Sequence, residues 1–308
     1  MASAPKLLKS RSDIWVYDRQ SGERVRETVL GDALLRLAYL SAGRMACRVF
    51  LFRWGLVSRI LGWYCNTRLS RRKIVRTVRV LGINPDEFEK DIDSFPTFNA
   101  FFTRRLKAGA RPFNAASGVL VSPADARLLV FPKLVADTCV PVKGLPFSIP
   151  ALLAARNETA DRFTNGAAAV ARLSPADYHR YHYPAGGFVR DSWSVSGRYH
   201  SVNPIVHALR LGVFTENKRE VSILELERFG CCAFIEVGAF GVGAIVQTHG
   251  DRTFSKMQEK GFFAFGGSTI ILLFESGCVT FDSDLIENSC AGCETLVKAG
   301  ETIGQARE

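Results

Sequence analysis

The chain has 308 residues, of which 47% are hydrophobic and 23% charged, and this composition excludes disorder as a description of the whole chain. Its net charge of +10 lies mainly near the N-terminus, because residues 33–85 contain eleven basic residues and no Asp or Glu, whereas the rest is close to neutral. This distribution points to an anionic partner of the N-terminal part, either phospholipid or nucleic acid.

The first residues and the cysteines indicate the compartment. Residues 1–13 lack the apolar segment of a signal peptide, so we expect the eight cysteines to be free thiols in a reduced, cytoplasmic chain. Cys290 and Cys293 have the spacing of metal ligands, but no second pair follows at the spacing of a zinc ribbon. We therefore predict no metal site at this pair.

Two kinds of element are predicted in the N-terminal part. Residues 12–29 read as two strands joined by a turn at Ser21 and Gly22, a unit too short to carry a function by itself. Residues 34–81 are dense in apolar side chains and predict two or more helices, without an uncharged stretch long enough to span a membrane. These helices could form a bundle packed on the main domain, or a basic amphipathic segment that lies in a membrane surface. We favour the second interpretation.

The second half of the chain predicts mostly strands. Residues 86–113 read as a short helix and a linker, in which an aromatic cluster meets Arg104, Arg105 and Lys107. From Val119 onward, apolar runs punctuated by Gly and Pro predict strands at 127–131, 167–172, 223–226, 233–237, 244–247, 269–274 and 278–281. The expected fold class is α+β, with a helical, membrane-associated N-terminal module (residues 1–95) followed by a mostly β domain (residues 96–308).

Two histidines and one aspartate are candidates for acid–base chemistry. His179 and His182 stand three residues apart among tyrosines, and histidine is the usual proton shuttle near neutral pH. Their spacing also suits metal ligands, but no flanking ligand pattern accompanies them, so no metal is predicted. Either one could instead be a core histidine. Asp125 follows a Ser-Pro pair, where a carboxylate orients a histidine or simply completes a turn.

Ser268 is the candidate nucleophile. It follows Gly266 and Gly267 at the start of an apolar strand, and the nucleophile-elbow pattern G-x-S-x-G is absent around it. Two glycines leave the carbonyl of Gly267 open to close approach, so the hydroxyl of Ser268 can attack its own preceding peptide bond. A plain Gly-Gly turn that enters a strand explains the same residues equally well.

Five segments together resemble the phosphatidylserine decarboxylase family. They are FFTRRLK, SPAD, DYHRYHYP, TENKRE and KGFFAFGGSTIILLFE, in the family's order and approximate spacing, and the resemblance runs from about Val16 to Gly304. The Gly-Gly-Ser-Thr form resembles a bacterial branch, since Leu-Gly-Ser-Thr is common elsewhere. One departure is Ala126, where the family usually has Gly after the aspartate. Alanine there would cost roughly 1 kcal/mol if the position required a positive φ.

The resemblance implies a pyruvoyl-dependent enzyme that converts phosphatidylserine to phosphatidylethanolamine. Ser268 would attack Gly267 and split the chain into a β chain, residues 1–267, and an α chain, residues 268–308. Ser268 would then become the pyruvoyl group, which forms a Schiff base with the amine of the substrate. By the family pattern, Asp125 and His182 form the charge relay that activates Ser268, and His179 acts in decarboxylation or substrate handling.

The same resemblance implies the partners and the location. They are phosphatidylserine, an anionic membrane surface, association of the α and β chains as a heterodimer or a higher oligomer, and a peripheral position on the cytoplasmic side of the cell membrane. Two alternatives are a pyruvoyl decarboxylase of a soluble amino acid and a non-enzymatic membrane or nucleic-acid binder. The basic N-terminal part disfavours the first, and a binder has no need of the histidines and Ser268 together. No nucleic-acid partner is expected, because no recognised binding motif accompanies the basic stretch.

Overall fold

The computed structural model describes residues 14–27, 56–134, 139–140, 145–146, 148–154, 157–198, 213–239, 244–266 and 268–307. Residues 34–55 of the predicted helices and Gly267 of the predicted cleavage site lie outside these ranges. The strands are β1 (Trp15–Asp18), β2 (Glu23–Arg26), β3 (Val119–Val121), β4 (Ala126–Phe131), β5 (Cys139–Val140), β6 (Leu145–Pro146), β7 (Ala167–Leu173), β8 (Arg180–His182), β9 (Gly187–Val195), β10 (Arg219–Leu226), β11 (Gly230–Gly238), β12 (Ile245–Gln247), β13 (Thr253–Phe254), β14 (Glu259–Phe263), β15 (Ser268–Phe274), β16 (Val279–Phe281), β17 (Glu294–Val297) and β18 (Thr302–Ala306).

Helices are fewer and shorter than strands in the described residues. They are α1 (Leu56–Cys65), α2 (Ile74–Leu81), α3 (Phe98–Phe102), α4 (Ile149–Leu153), α5 (Asn157–Asp161), α6 (Val213–Glu216) and α7 (Ser283–Cys290). Short 3-10 helices cover Arg68–Lys73, Pro85–Glu87 and Ile92–Ser94. The predicted mixed fold with mostly β content is therefore confirmed, whereas membrane association of the N-terminal module and the division at residue 95 stay predictions.

A ten-stranded sheet organises the fold, in the order β13-β9-β10-β11-β15-β7-β4-β17-β1-β2. Neighbouring strands in it are antiparallel except for β1 and β17. Two three-stranded sheets, β12-β14-β8 and β16-β18-β3, accompany it. Because the chain returns to distant strands rather than pairing only in sequence order, residues from both ends of the chain meet in one sheet.

Strand β15 lies at the centre of this sheet and is buried on both faces. Ile271 and Leu273 pack into a core cluster with Leu152 of α4 on one face. Ile270 and Leu272 pack on the other face, into the cluster that contains Tyr181 of β8. Burial on both faces explains why this strand reads as a continuous apolar run instead of alternating with polar residues.

The described N-terminal helices pack against the segment that leads into the main sheet. Cys65 and Ile74 share a buried cluster with Phe88, Phe98 and Phe101. On the side of these helices that faces away from the cluster, several large apolar side chains are exposed. They are Ile60, Trp63, Leu69, Val75 and Val80. Among the described helices, none is long and apolar enough to cross a bilayer.

The predicted N-terminal hairpin is present, with Gly22 in its turn at φ 71°. It was expected to be a unit without a function of its own. In the structure, β1 pairs in parallel with β17, so the hairpin extends the edge of the large sheet. Immediately after β2, Glu27 turns inward and its side chain is only 3% exposed. The hairpin therefore positions the carboxylate of Glu27 inside the protein.

Candidate active site

Ser268 opens the central strand of the fold. Its residue partners in the sheet are Gly238 of β11 and Leu173 of β7. The side chain is fully buried, and its Oγ has no hydrogen-bond partner among the described residues. Buried hydroxyls are normally paired, and the neighbouring Thr269 also lacks a partner within these residues. Ser268 is singled out by its place shortly after Gly266, at the first position of the strand.

The residue two positions before Ser268 has a backbone that favours glycine. Gly266 has φ 142°, within the region that side chains resist. Phe265, the residue before it, is anchored from outside the turn. Its amide donates to Asn99 Oδ1 at 3.0 Å, and its ring packs edge-on against Phe98 and Phe102 with centroids 5.1 Å away. The segment before Ser268 is thus held by α3.

His179 is connected to that same helix. Its imidazole lies against the ring of Phe102, with centroids 3.9 Å apart, and its carbonyl accepts from Phe263 of β14 at 3.0 Å. The side chain is fully buried. Burial lowers the pKa of His179 to about 3, so the imidazole is neutral at physiological pH. Contacts therefore lead from His179 through Phe102 to Phe265, three residues before Ser268.

The two ring nitrogens of His179 are not equivalent. Nδ1 lies 2.9 Å from the carbonyl oxygen of Asp177, whereas Nε2 is buried without a partner among the described residues. Arg104 donates to the same carbonyl and to that of Ala176, both at 3.3 Å. The guanidinium of Arg104 also lies over the rings of Phe88 and Phe101, and its burial lowers its pKa to about 10.

His182 lies at the end of β8 beside the turn that carries Asp125. Its amide donates to the carbonyl of Pro123 at 2.8 Å, and its ring stacks on Tyr178 with centroids 5.9 Å apart. Burial lowers the pKa of His182, while the charges of Glu259 and Asp125 act in the opposite direction. Its Nδ1 has no partner in the described part of the chain. His182 and Asp125 therefore interact electrostatically without a direct hydrogen bond.

The carboxylate of Asp125 is bound by other groups. Arg111 donates to its two oxygens at 2.8 and 2.6 Å, and the amide of Ala299 donates at 2.9 Å. Arg111 also binds Glu87 at 2.9 Å. Asp125 thus joins the linker before the main sheet to the turn between β17 and β18, where Gly300 has φ 86° and a side chain would meet the carbonyl of Pro112.

Ala126, the departure from the family pattern, causes no backbone strain. It begins β4, is buried, and is not among the described residues with a positive φ. The possible cost of alanine in a left-handed conformation therefore does not arise in this chain.

Glu27 and Arg111 were given no role from the sequence, because single charged residues carry no periodic signal and their partners are far away in the sequence. Asp177 was included in the DYHRYHYP segment, but without a role of its own. As for metals, no group of three or more His, Cys, Asp or Glu side chains among the described residues could hold an ion.

Comparison with known proteins identifies the family. Residues 98–305 match the family model described as phosphatidylserine decarboxylase. The chain belongs to the phosphatidylserine decarboxylase family. Proteins named phosphatidylserine decarboxylase proenzyme are similar over 94% of this chain in Clostridium botulinum strain 657 (39% identity, 99% of the relative), Chlamydia pneumoniae (38%, 96%) and Ruminiclostridium cellulolyticum (37%, 97%).

Family membership assigns an enzyme class to the chain, that of the carboxy-lyases. It also places Ser268 in a family whose members are named as proenzymes, that is, as precursors that require processing. The resemblance stated from the five sequence segments is therefore confirmed at the level of the family and its activity.

Proposed function

We propose that this chain is a phosphatidylserine decarboxylase that generates its own pyruvoyl group by cutting itself between Gly267 and Ser268. The observation that carries the proposal is the position of Ser268, buried at the start of a central strand, with an Oγ that has no partner in the part of the chain that the structure describes. The family match favours this function over a decarboxylase of soluble amino acids and over a non-enzymatic binder.

Self-cleavage would begin at the hydroxyl of Ser268. Its Oγ attacks the carbonyl carbon of Gly267, the peptide nitrogen leaves that carbon, and an ester results. Loss of the Ser268 α-proton then expels the Gly267 carboxylate and leaves a dehydroalanine at residue 268. Addition of water and release of ammonia convert this residue into a pyruvoyl group. Gly266, directly before the attacked residue, has φ 142°, a backbone conformation that favours glycine.

The two products would remain associated as a heterodimer. The break lies immediately before β15, so no strand is cut. Residues 268–274 pair along their full length with β11 on one side and with β7 on the other. Strands β17 and β18 of the same fragment pair with β4 and β3. The 268–308 fragment is thus embedded in sheets of the larger one.

The residues for these steps are those predicted from the sequence. His182 would take the proton from Ser268, and Asp125 would favour the charged form of His182, consistent with its effect on the His182 pKa. His179 would act on the substrate, since its neutral Nε2 has no partner among the described residues and can accept a hydrogen bond.

The pyruvoyl group fits the position of Ser268, because the site is buried and the side chain makes no hydrogen bond to the described residues that its conversion would break. Once formed, its carbonyl supplies an electrophile for the substrate amine and a sink for the electrons left when carbon dioxide departs. Phe265 lies three residues before Ser268 and contacts Phe102, and both belong to or pack against the aromatic cluster of the N-terminal part.

The protein would lie peripherally on the cytoplasmic side of the cell membrane, and the surface of the described N-terminal helices supports the contact with a membrane. Exposed Trp63 and Leu69 lie close in sequence to exposed basic residues, which are Arg68, Arg71, Arg72, Lys73, Arg76 and Arg79. Apolar side chains among basic ones suit the boundary between anionic headgroups and acyl chains. Phosphatidylserine, itself an anionic lipid, would supply both the surface and the substrate.

The intact mass of the purified protein under denaturing conditions tests the proposal. Two fragments that divide between Gly267 and Ser268, with the smaller one blocked at its N-terminus, are the expected result. The cleaved protein should release carbon dioxide from phosphatidylserine in vesicles. An intact chain of full mass, or cleaved protein that acts on free serine and not on the lipid, would contradict it.

A further inference from the structure

Asp177 has an unusual number of partners for a residue in a short loop. Its carboxylate accepts a hydrogen bond from the amide of Ser174 at 2.6 Å and forms an ion pair with Arg127. Its backbone carbonyl accepts from Nδ1 of His179 and from Arg104. Its side chain is only 13% exposed. Both polar groups of Asp177 therefore have partners within the protein. The carboxylate binds Ser174 and Arg127, and the backbone carbonyl binds His179.

The carbonyl contact sets the chemical state of His179. A carbonyl oxygen can only accept, so Nδ1 carries the ring hydrogen and donates it to Asp177. In a neutral imidazole the other nitrogen, Nε2, is then an acceptor. The ring cannot rotate freely, because Phe102 covers its face at 3.9 Å. Position and tautomer of His179 thus both depend on where the carbonyl of residue 177 lies.

The carboxylate contact extends into a chain of ion pairs. Arg127 of β4 reaches Glu27 with Nε 2.8 Å from Oε1. This contact is an ion pair and not a hydrogen bond. Glu27 accepts a hydrogen bond from Arg172 of β7 at 2.8 Å, and Arg172 binds Glu294 of β17 at 2.6 and 2.8 Å. Burial raises the pKa of Glu27, but Arg172 and Arg127 outweigh it and leave the pKa lowered, so Glu27 is ionised.

We propose that Asp177 is a positioning residue that holds His179 as the Nε2-acceptor tautomer, and that Glu27 anchors Asp177 through Arg127. The N-terminal hairpin then contributes to the active site without touching it. What His179 does with its free Nε2 rests on the proposed function, whereas the tautomer itself does not.

These charged side chains can be buried because each one has a partner of opposite charge. Removing one partner leaves an opposite charge buried and unpaired, which is strongly unfavourable. The network links strands β4, β7 and β17 to the residue that follows the hairpin. Since Glu294 belongs to the 268–308 fragment and the other members to the 1–267 fragment, it would also fix the two fragments to each other after cleavage.

The test uses the full chain after self-cleavage, with Asp177→Asn and Glu27→Gln as variants. Glu23→Gln is the matched control, because Glu23 is an exposed carboxylate of the same hairpin. Ring ¹⁵N–¹H correlation spectra, assigned by loss of a signal in His179→Gln, report which nitrogen carries the hydrogen. The wild type and the control are expected to show protonated Nδ1 and unprotonated Nε2.

Both test variants should show mixed tautomers and a kcat for decarboxylation reduced about 10- to 100-fold with little change in KM, the range typical when a group that orients a functional histidine is lost. Unchanged kcat with an unchanged spectrum in folded Asp177→Asn would overturn the proposal. If that variant does not fold, the milder Glu27→Gln decides by the same readouts. A wild-type His179 with hydrogen on Nε2 would also overturn it, even if phosphatidylserine is decarboxylated as proposed.

Discussion

Arg111 holds the carboxylate of Asp125 through two hydrogen bonds, at 2.8 and 2.6 Å. The pair is largely buried, with side chains 11% and 12% exposed. Arg111 is also bound to Glu87 of the N-terminal part, and Asp125 to the amide of Ala299. The residue predicted to orient the base for self-cleavage is therefore itself oriented by the segment that leads from the N-terminal helices into the main sheet.

Loss of Arg111 should destabilise the chain and slow its self-cleavage. Arg111→Met leaves the carboxylate of Asp125 buried without its cation, which should lower the free energy of unfolding by about 3 kcal/mol. The free energy is measured by urea unfolding in the uncleaved Ser268→Ala background, and cleavage by gel in the parent chain. Arg105→Met is the control, because Arg105 is an exposed arginine of the same tract. A loss of stability equal in both variants would contradict the role given to Arg111.

Ser268→Ala should give a full-length, folded and inactive chain. No hydroxyl remains to attack Gly267, and the loss of an unpartnered buried hydroxyl should leave the stability equal or slightly higher. Denaturing mass spectrometry and thermal unfolding measure the two effects. Thr295→Val is a matched control, since Thr295 is also fully buried with an unpartnered hydroxyl, and it should cleave normally. Normal cleavage of the Ser268→Ala chain would refute the mechanism.

Substitution of the two histidines should affect different reactions, self-cleavage for His182 and decarboxylation for His179. His182→Ala is expected to stop self-cleavage, because the relay loses its base. His179→Ala should still cleave, at least in part, but decarboxylate phosphatidylserine poorly. The fraction cleaved is read from a denaturing gel, and decarboxylation from carbon dioxide released per cleaved molecule. If both variants cleave like the wild type, the base lies elsewhere.

Because of His179, the free energy of unfolding should decrease as the pH falls below about 6.5. The folded pKa is about 3, and the unfolded one is about 6.5, so only the unfolded chain takes up this proton as the pH falls. Stability present above the unfolded pKa is therefore lost on acidification, by about 2 kcal/mol at pH 5.

His179→Gln in the Ser268→Ala background should reduce the stability difference between pH 7 and pH 5 by that amount, about 2 kcal/mol. Urea unfolding of both chains at the two pH values measures it. Contributions of other titrating groups largely cancel in the comparison. An identical pH dependence in the two chains would show that His179 is not the source.

Binding to anionic vesicles should depend on the exposed face of the N-terminal helices. Replacing Arg72, Arg76 and Arg79 by Gln removes three charges, each worth about 1 kcal/mol near such a surface, so binding at low salt should weaken about 100-fold. Trp63→Asp should weaken the part of the binding that persists at high salt. Co-flotation with anionic and neutral liposomes across a salt series measures both.

Point substitutions are preferable here to deletion of residues 1–85, because that deletion also removes the hairpin strands and Glu27. Phe188→Asp is the control for Trp63→Asp, since Phe188 is an exposed aromatic residue on β9. If the arginine variant floats as well as the wild type, the docking surface lies on another part of the molecule.

Strand positions and the cleavage segment could be predicted from the sequence because their determinants are local. The apolar run 269–274 needed only its own composition to predict a buried strand, and the structure has β15 at Ser268–Phe274. Gly266 and Ser268 were found because a glycine pair before a buried strand is unusual in itself. The family resemblance rested on such short local segments, and the comparison with known proteins confirms the family.

The surroundings of the histidines were decided only by the tertiary structure. Glu27, Arg127 and Asp177 are far apart in the sequence, and nothing in the residues next to them indicates that they meet. The hairpin reaches them only because β1 adds to the edge of a sheet whose neighbouring strand comes from the C-terminal part. Pairing of distant strands depends on the packing of the whole core, and a buried charge finds its partner only once that packing exists, so neither can be read from a local pattern.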